Sequence, residues 1–311
     1  MIDRIRRFAK SPAHGAVVRG IGDDCAILRP STGNQLLVTT DLCIENVHFR
    51  RDWHPAASIG HRCLARGLSD IAAMGGKPLA CFLSLGLPPR LPQRWVDGFL
   101  RGLLALALRF NVQLAGGDVS AAREILADII VTGEAPASKA ILRSGARPSD
   151  RIFVTGALGG SAAVLQRLLT GKRVKAAPSN PHFYPQPRVE VGQWLRERGL
   201  ATAMIDLSDG LSVDLAHICK ESGISARIVA AQVPIALNAD LSLALHGGED
   251  YELLFTVPKG AKLPARIAGV PITEIGLIRN RTNYSSAIQI LGENGRARSL
   301  AQRGWEHFIR S

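Results

Sequence analysis

Nine carboxylates of this sequence lie in short segments built otherwise from glycine, serine, threonine and aliphatic residues. A carboxylate removed from water beside other carboxylates is costly unless a cation lies among them. If the fold gathers these side chains, they supply only oxygen ligands, which suit Mg²⁺. A metal-phosphate enzyme is therefore the leading hypothesis. The segments are Gly22-Asp23-Asp24, Thr39-Thr40-Asp41, Leu68-Ser69-Asp70, Gly116-Gly117-Asp118, Asp206-Leu207-Ser208-Asp209-Gly210 and Gly247-Gly248-Glu249-Asp250.

Each of these segments also has an ordinary structural explanation. Gly-Asp pairs are common in turns, and Ser208 or Asp209 could cap the helix expected after Gly210. Six such segments in one chain are harder to explain as independent turns, which favours a shared functional role.

Motifs of other chemistries are missing from the sequence. There is no Gly-x-x-x-x-Gly-Lys-Ser/Thr phosphate loop. The glycines of Gly156–Gly160 lack dinucleotide-binding spacing, so tight strand-to-helix packing explains them better. No His-x-x-x-His pair indicates zinc hydrolysis, and no Gly-x-Ser-x-Gly elbow indicates a serine nucleophile.

The first half of the sequence alternates strand-like and helix-like patterns that would position the acidic segments. A strand leads into Asp41, Asp70 lies on an amphipathic helix, and a short strand enters Gly116. The predicted elements are strands Leu36–Thr40, Leu79–Leu87, Val112–Ala115 and Leu126–Gly133, and helices Ala56–Gly75 and Arg94–Arg109.

A segment rich in proline, serine and basic residues, 135–148, predicts a domain boundary, giving domains 1–137 and 138–311. The second half resumes the alternation, so we expect an α/β or α+β fold with two lobes. Its predicted elements are strands Arg151–Thr155, Ala203–Asp206, Glu252–Val257 and Ala287–Leu291, helices Ser161–Leu169 and Leu211–Ser222, and a helix before Ala203.

Composition restricts the function classes further. The net charge of +12 comes from 38 Lys+Arg against 26 Asp+Glu, yet the basic residues are dispersed and aromatic content is only 5%. That pattern argues against nucleic-acid binding. The positive electrostatic field of these residues would attract anionic substrates, or the basic surface is simply solvated and has no specific role.

The most apolar run, Phe99 to Phe110, contains two arginines and predicts a core helix rather than a membrane span. Residues 1–8 do not resemble a signal peptide. The five cysteines lack metal-site spacing and are expected to be buried thiols in a cytoplasmic protein.

Read in order, the motifs resemble those of the thiamine-monophosphate kinase family, over nearly the whole chain. The resemblance begins with Gly20-Ile21-Gly22-Asp23-Asp24, Thr39-Thr40-Asp41, Val47-His48-Phe49 and Leu68-Ser69-Asp70-Ile71-Ala72-Ala73-Met74-Gly75. It continues through Gly116-Gly117-Asp118, Arg143-Ser144-Gly145, Asp206-Leu207-Ser208-Asp209-Gly210, Gly247-Gly248-Glu249-Asp250-Tyr251 and Gly304-Trp305-Glu306-His307-Phe308.

The resemblance implies the two-domain fold of aminoimidazole ribonucleotide synthetase, with an N-terminal domain that forms a homodimer through its sheet. It also implies Mg²⁺- and ATP-dependent phosphorylation of thiamine monophosphate to thiamine diphosphate, without a nucleic-acid or membrane partner.

The resemblance further implies the roles of individual residues. ATP would contact Gly117, Asp118, Arg143 and Ser208, and thiamine monophosphate would contact His48, Glu249 and Trp305. The Mg²⁺ ligands would be Asp24, Thr39, Thr40, Asp41, Asp70, Asp118, Asp206 and Asp209, of which Asp41, Asp118 and Asp209 are the expected catalytic carboxylates.

The sequence departs from the family pattern at two places. Arg66-Gly67 stands where the family more often has a small residue and Asn, and Asn46 replaces a usual Gly.

Two rival functions compete with the kinase hypothesis. The first rival is another enzyme of the same superfamily, such as an aminoimidazole ribonucleotide synthetase-like protein. Selenophosphate synthetase and the hydrogenase-maturation protein would each want a reactive terminal Cys, which this sequence lacks. The second rival is a non-catalytic basic binding protein.

Overall fold

A computed structural model of the chain describes residues 16–19, 27–281, 287–292 and 294–304. The chain divides into two compact units. The first comprises the described parts of residues 1–71, 76–139 and 173–187, and the second those of 72–75, 140–172 and 188–311. The predicted domain boundary after residue 137 refers to domains that fold independently, which is a different property from compactness, and it stays a prediction.

The first unit is built on a mixed sheet that has four strands within the described ranges. Its order is β3-β6-β4-β5, with β4 and β5 parallel and the other neighbours antiparallel. The unit's strands are β1 (Val17–Arg19), β2 (Ile27–Leu28), β3 (Asn34–Ile44), β4 (Lys77–Leu87), β5 (Gln113–Ala121) and β6 (Leu126–Pro136). Its helices are α1 (Ala56–Ala73), which ends in the second unit, and α2 (Gln93–Arg109).

One face of this sheet carries the core of the first unit. Apolar side chains of α1 and α2 pack with Ile129 and Val131 of β6, all of them buried. The two helices approach closely because each presents a glycine: a Cβ on Gly60 would lie 1.9 Å from the Phe99 carbonyl oxygen, and one on Gly102 1.8 Å from that of Ala57. The opposite face of β3 is exposed.

Residues 173–187 complete the first unit although they are distant in sequence. His182 and His54 are both buried, with their Nε2 atoms 3.1 Å apart. The Arg62 guanidinium, also buried, donates to the His182 carbonyl, and the His61 Nε2 lies 2.7 Å from the Pro185 carbonyl.

The second unit contains a larger sheet, which has eight strands within the described ranges. Seven strands follow the order β14-β13-β9-β12-β7-β10-β8, and β11 pairs with β12. The strands are β7 (Arg151–Thr155), β8 (Ala203–Asp206), β9 (Ser225–Val229), β10 (Leu253–Val257), β11 (Arg266–Ile267), β12 (Val270–Arg279), β13 (Ile288–Leu291) and β14 (Ala297–Ser299). The helices are α3 (Gly160–Leu169), α4 (Val189–Glu197), α5 (Leu211–Ser222) and α6 (Leu241–His246).

The predicted elements are largely confirmed, with one correction that matters for the site. Gly116-Gly117-Asp118 does not follow a short strand; it lies inside β5, which continues to Ala121 because β4 pairs with it throughout. Four of the five cysteines are buried free thiols, as predicted, and Cys25 lies outside the described residues. Over the described residues, no helix is both long and apolar enough to cross a membrane.

Because α1 and α2 pack so closely, one added methyl group between them should strongly lower the stability of the protein. Gly102→Ala should lower the free energy of unfolding by on the order of 2 kcal/mol, because the new Cβ meets backbone that cannot rotate away. Urea unfolding measures it. Gly260→Ala, where a Cβ meets nothing within 4 Å, is the control and should change stability by less than about 0.5 kcal/mol. Equal stability of the two variants would contradict the described packing.

Candidate functional site

Three predicted ligands of the first unit meet where β3 faces α1. Alternation along β3 turns Thr39 and Asp41 towards the helix, and the Thr39 hydroxyl donates to the Asp70 carboxylate. The Arg66 guanidinium of α1 donates to Asp41 Oδ1 at 3.3 Å. The fold thus gathers one hydroxyl, two carboxylates and one arginine.

The charge of Asp41 is poorly compensated in this setting. Burial, opposed by Arg66 and reinforced by Asp70 and Asp128, raises the pKa of Asp41 from 3.8 to about 6. The carboxylate therefore pays an electrostatic cost near neutral pH, as ligands poised for a cation do.

Thr40 lies on the opposite face of the same sheet. Its hydroxyl donates to Asp128 Oδ1 at 2.8 Å. The register pairs Asp128 with Ser84 of β4, which is itself paired with Asp118 of β5. Asp128 was not among the predicted ligands; its signal was a lone carboxylate in the apolar strand Leu126–Gly133.

Gly117 is required by the backbone beside Asp118. Its φ is 146°, and a Cβ there would lie 1.9 Å from the Leu83 carbonyl oxygen. Only glycine fits both conditions. The strand therefore presents bare backbone next to the exposed Asp118 carboxylate, whose Oδ1 accepts from the Val119 amide at 2.8 Å.

The turn that carries His48 explains one sequence departure. Asn46 has φ 64°, a left-handed conformation that Gly and Asn both accept. Asn can therefore replace Gly here without altering the turn. The ring of His48 is held by a 3.1 Å hydrogen bond from the Ile44 amide to Nδ1.

The second unit holds a separate acidic cluster at the end of β8. Asp206 ends that strand, and Asp209 lies in the following turn. The predicted helix cap is wrong: the N-cap of α5 is Gly210, and neither Ser208 nor Asp209 occupies it. Instead Asp214, one turn into the helix, accepts from the amides of Asp209 at 3.2 Å and Gly210 at 3.0 Å.

Asp214 itself was missed by the sequence analysis. It is 1% exposed, and burial, with the nearby charges of Asp206 and Asp209, raises its pKa well above the ordinary value. Its position four residues after Gly210 on an apolar helix was the available signal. Asp214 shapes the loop that presents Asp209.

Two further residues surround this loop. Burial lowers the pKa of His217 on α5, and the neighbouring charge of Arg143 adds to the effect while Asp209 opposes it. Arg143, the predicted ATP contact, thus lies within electrostatic range of the same histidine as Asp209.

The segment Gly247–Tyr251 packs tightly against the Asp209 loop. The Glu249 amide donates to the Ser208 carbonyl at 2.7 Å, and a Cβ on Gly248 would lie 2.5 Å from that same oxygen. Glu249 has φ 66°, a conformation unusual for this residue type. Backbone strain of this kind is commonly kept where function requires it.

Two predicted site residues, Asp24 and Trp305, lie outside the described residues. The chain just before Trp305 is tied to the second cluster: the Ser212 hydroxyl donates to the Arg303 carbonyl at 3.0 Å, and a Cβ on Gly304 would lie 2.6 Å from the Asp209 carbonyl oxygen.

The donors of both clusters suit Mg²⁺ in type. In the ranges that the structure describes, however, no three His, Cys, Asp or Glu side chains form a ready-made metal site. Mg²⁺ is usually bound by one or two carboxylates together with water and substrate phosphates, rather than by a cage of protein ligands. The observed pairs fit that mode of binding.

Comparisons with known proteins show which family the chain belongs to. The family model described as AIR synthase related protein, N-terminal domain, matches residues 22–135, and its C-terminal counterpart matches residues 147–286. The thiamine-monophosphate kinase of Escherichia coli (strain K12) is 39% identical, over 93% of this chain and 91% of that protein. That of Bacillus subtilis (strain 168) is 35% identical, over 95% of each.

Solved structures extend the similarity to three dimensions. The thiamine-monophosphate kinase from Stenotrophomonas maltophilia K279a has a TM-score of 0.81 at 33% identity, covering 93% of this chain and 95% of that one. AaThiL complexed with AMPPCP and TMP has a TM-score of 0.79 at 30% identity, covering 90% and 89%. These matches confirm the predicted two-domain α+β fold.

Removing the charge of Asp41 should stabilise the folded protein, and the gain in stability should depend on pH. A folded-state pKa raised from 3.8 to about 6 means that the protonated form stabilises the native state fully below about pH 3.8, and that this stabilisation is lost as the pH rises through 6. In urea unfolding with chelator present, the stability of Asp41→Asn relative to wild type should increase by on the order of 2 kcal/mol between pH 4.5 and pH 7.5.

The exposed carboxylate variant Asp52→Asn serves as control, and its stability at pH 7.5 should lie within about 0.5 kcal/mol of wild type. A constant difference between Asp41→Asn and wild type across the pH range would show that Asp41 carries no such electrostatic cost.

Proposed function

Because the chain belongs to the thiamine-monophosphate kinase family, we propose that it transfers the terminal phosphoryl group of ATP to thiamine monophosphate. The P–O bond to ADP breaks, and a new P–O bond forms to a phosphate oxygen of the acceptor, giving thiamine diphosphate. The observation that carries the proposal is similarity to these kinases along nearly the whole chain.

The chemistry of the acceptor explains which catalytic groups are needed. A phosphate monoester has a second pKa of about 6 and is largely a dianion at neutral pH. It is therefore a nucleophile without help from a general base. The difficulty is the repulsion between two anionic phosphates that must approach in line.

The acidic clusters would reduce this repulsion by holding Mg²⁺. When bound, the ions shield the phosphates from one another and stabilise the charge that develops on the leaving ADP. The residues that would hold them are Thr39, Thr40, Asp41, Asp70 and Asp118 in the first unit, Asp206 and Asp209 in the second, and Asp24.

Two features support the nucleotide contacts. Gly117 is exposed and has no side chain directly before the exposed Asp118 carboxylate, which suits an approaching phosphate. Arg143 adds a permanent positive charge, which suits recognition of a phosphate. Ser208, in the loop before Gly210, is the third expected contact.

The thiamine contacts are assigned to His48, Glu249 and Trp305. The ring of His48 is held through Nδ1, and the backbone of Glu249 is held in a left-handed conformation against the Asp209 loop. A carboxylate suits the cationic thiazolium of the substrate, and a tryptophan ring can stack on it.

A homodimer through the exposed face of the first unit's sheet is part of the proposal. Leu36, Val38 and Leu42 of β3 are 46%, 62% and 47% exposed on this face, opposite the one covered by α1. Apolar side chains clustered on an open sheet mark an interaction surface, and a second copy would bury it.

The activity is tested by incubating the purified protein with ATP, Mg²⁺ and thiamine monophosphate, with free thiamine as the control acceptor. Wild type should form thiamine diphosphate. Asp118→Asn should lower kcat by at least about a hundredfold, because a metal ligand is lost, while its Tm stays unchanged because the side chain is exposed. Asp52→Asn should retain wild-type kcat. Unchanged turnover of Asp118→Asn would refute its role.

The dimer is tested by light scattering after size-exclusion chromatography. Val38→Glu should convert a wild-type dimer to a monomer, because it puts a charge among the exposed apolar side chains of β3. Leu108→Glu, at an isolated exposed leucine of α2, should remain dimeric. A wild-type monomer, or a Val38→Glu dimer, would exclude this interface.

A further inference from the structure

Gly67 allows α1 to lie unusually close to the sheet beneath it. A Cβ at this position would stand 2.5 Å from Val131 Cγ2 and 3.6 Å from Thr39 Cγ2. The close approach brings the residues beside Gly67 over the inward-facing side chains of β3. Arg66 and Asp70, one helical turn apart, therefore share the face above Thr39 and Asp41.

Arg66 uses this position to pair with Asp41. The guanidinium donates to Oδ1 at 3.3 Å, and both side chains are mostly shielded, with 16% of Arg66 and 21% of Asp41 exposed. Asp70 and Asp128 are the other charges that act on this carboxylate. An arginine keeps its proton at every physiological pH, so Arg66 is a permanent cation within an anionic cluster.

We propose that Arg66 is a built-in counter-ion that competes with the divalent cation for Asp41 and thereby weakens metal binding to the free protein. The inference rests on the proposed function, because it takes Asp41 to be a metal ligand. Arg66 acts through Asp41 and is a positioning residue, with no contact to the reacting phosphates required.

The physical reason is a balance between two positive charges. In the metal-free protein Arg66 offsets part of the repulsion between Asp41 and its acidic neighbours. A divalent ion that reaches Asp41 gains less from a carboxylate already paired, and it also meets the like charge of Arg66. Additional ligands, such as the phosphates of a nucleotide, then decide whether the ion binds firmly.

The test measures binding of Mn²⁺ alone to the full chain, by the loss of the free-ion EPR signal, with thermal melts at each metal concentration. Arg66→Gln and Arg66→Met remove the charge and should each lower the Kd for Mn²⁺ by about tenfold. Both should melt at a lower temperature than wild type without metal, and Mn²⁺ should raise their Tm by more than it raises that of wild type. Arg66→Lys restores a cation and should return the Kd towards the wild-type value.

Two controls separate this inference from the metal assignment. Arg151→Gln removes one positive charge from an ion pair with Glu274 in the second unit and should leave the Kd unchanged. Asp41→Asn should weaken binding. Unchanged Kd values in Arg66→Gln and Arg66→Met, with binding weakened in Asp41→Asn, would overturn the role of Arg66 and leave the metal site standing. Wild-type binding by Asp41→Asn would remove the metal assignment, and the inference with it.

Discussion

The burial of negative charge between a strand and a helix is the constraint on which the first unit's site depends. Asp41 leaves water only because β3 turns it inward, and it stays ionised at neutral pH against both burial and two acidic neighbours. The guanidinium of Arg66 offsets part of that cost, and the hydroxyl of Thr39 donates to the neighbouring Asp70. The glycine at position 67 makes the arrangement possible by admitting the helix so close to the sheet.

In the second cluster, backbone amides stabilise the buried carboxylate. Asp214 is almost fully buried and accepts two amide hydrogen bonds from the loop it supports. Burial, reinforced by Asp206 and Asp209, raises its pKa. The glycine-rich loops around Asp209 and Glu249 pack backbone against backbone, with no room for side chains between them. Rigid loops of this kind hold carboxylates in fixed directions.

Sequence reasoning predicted the elements better than the contacts. The apolar periodicity of α1 and the strand-forming run of β4 were enough to locate both elements. The end of β5 was misjudged because its glycines look like a turn, yet pairing with β4 keeps Gly117 in the sheet at a φ that only glycine readily adopts.

The two missed carboxylates differ in what the sequence offered. The partner of Asp128 is Thr40, which lies in another strand, so no local pattern reveals it. Asp214 bonds the nearby amides of Asp209 and Gly210, and its position after Gly210 was the local signal. The pairing of Arg66 with Asp41 depends on the distance between helix and sheet. The strand Val270–Arg279 escaped notice because Pro271 and Gly276 interrupt its pattern.

The late segment 173–187 has a consequence for how the polypeptide matures. Arg62 is buried with its permanent charge, and one of its acceptors is the carbonyl of His182. During synthesis the ribosome delivers that acceptor 120 residues after the arginine, and all of β7 and α3 is synthesised in between. The first unit therefore cannot reach its final packing before part of the second unit has been synthesised, and a fragment cut near residue 139 would leave Arg62 without this partner.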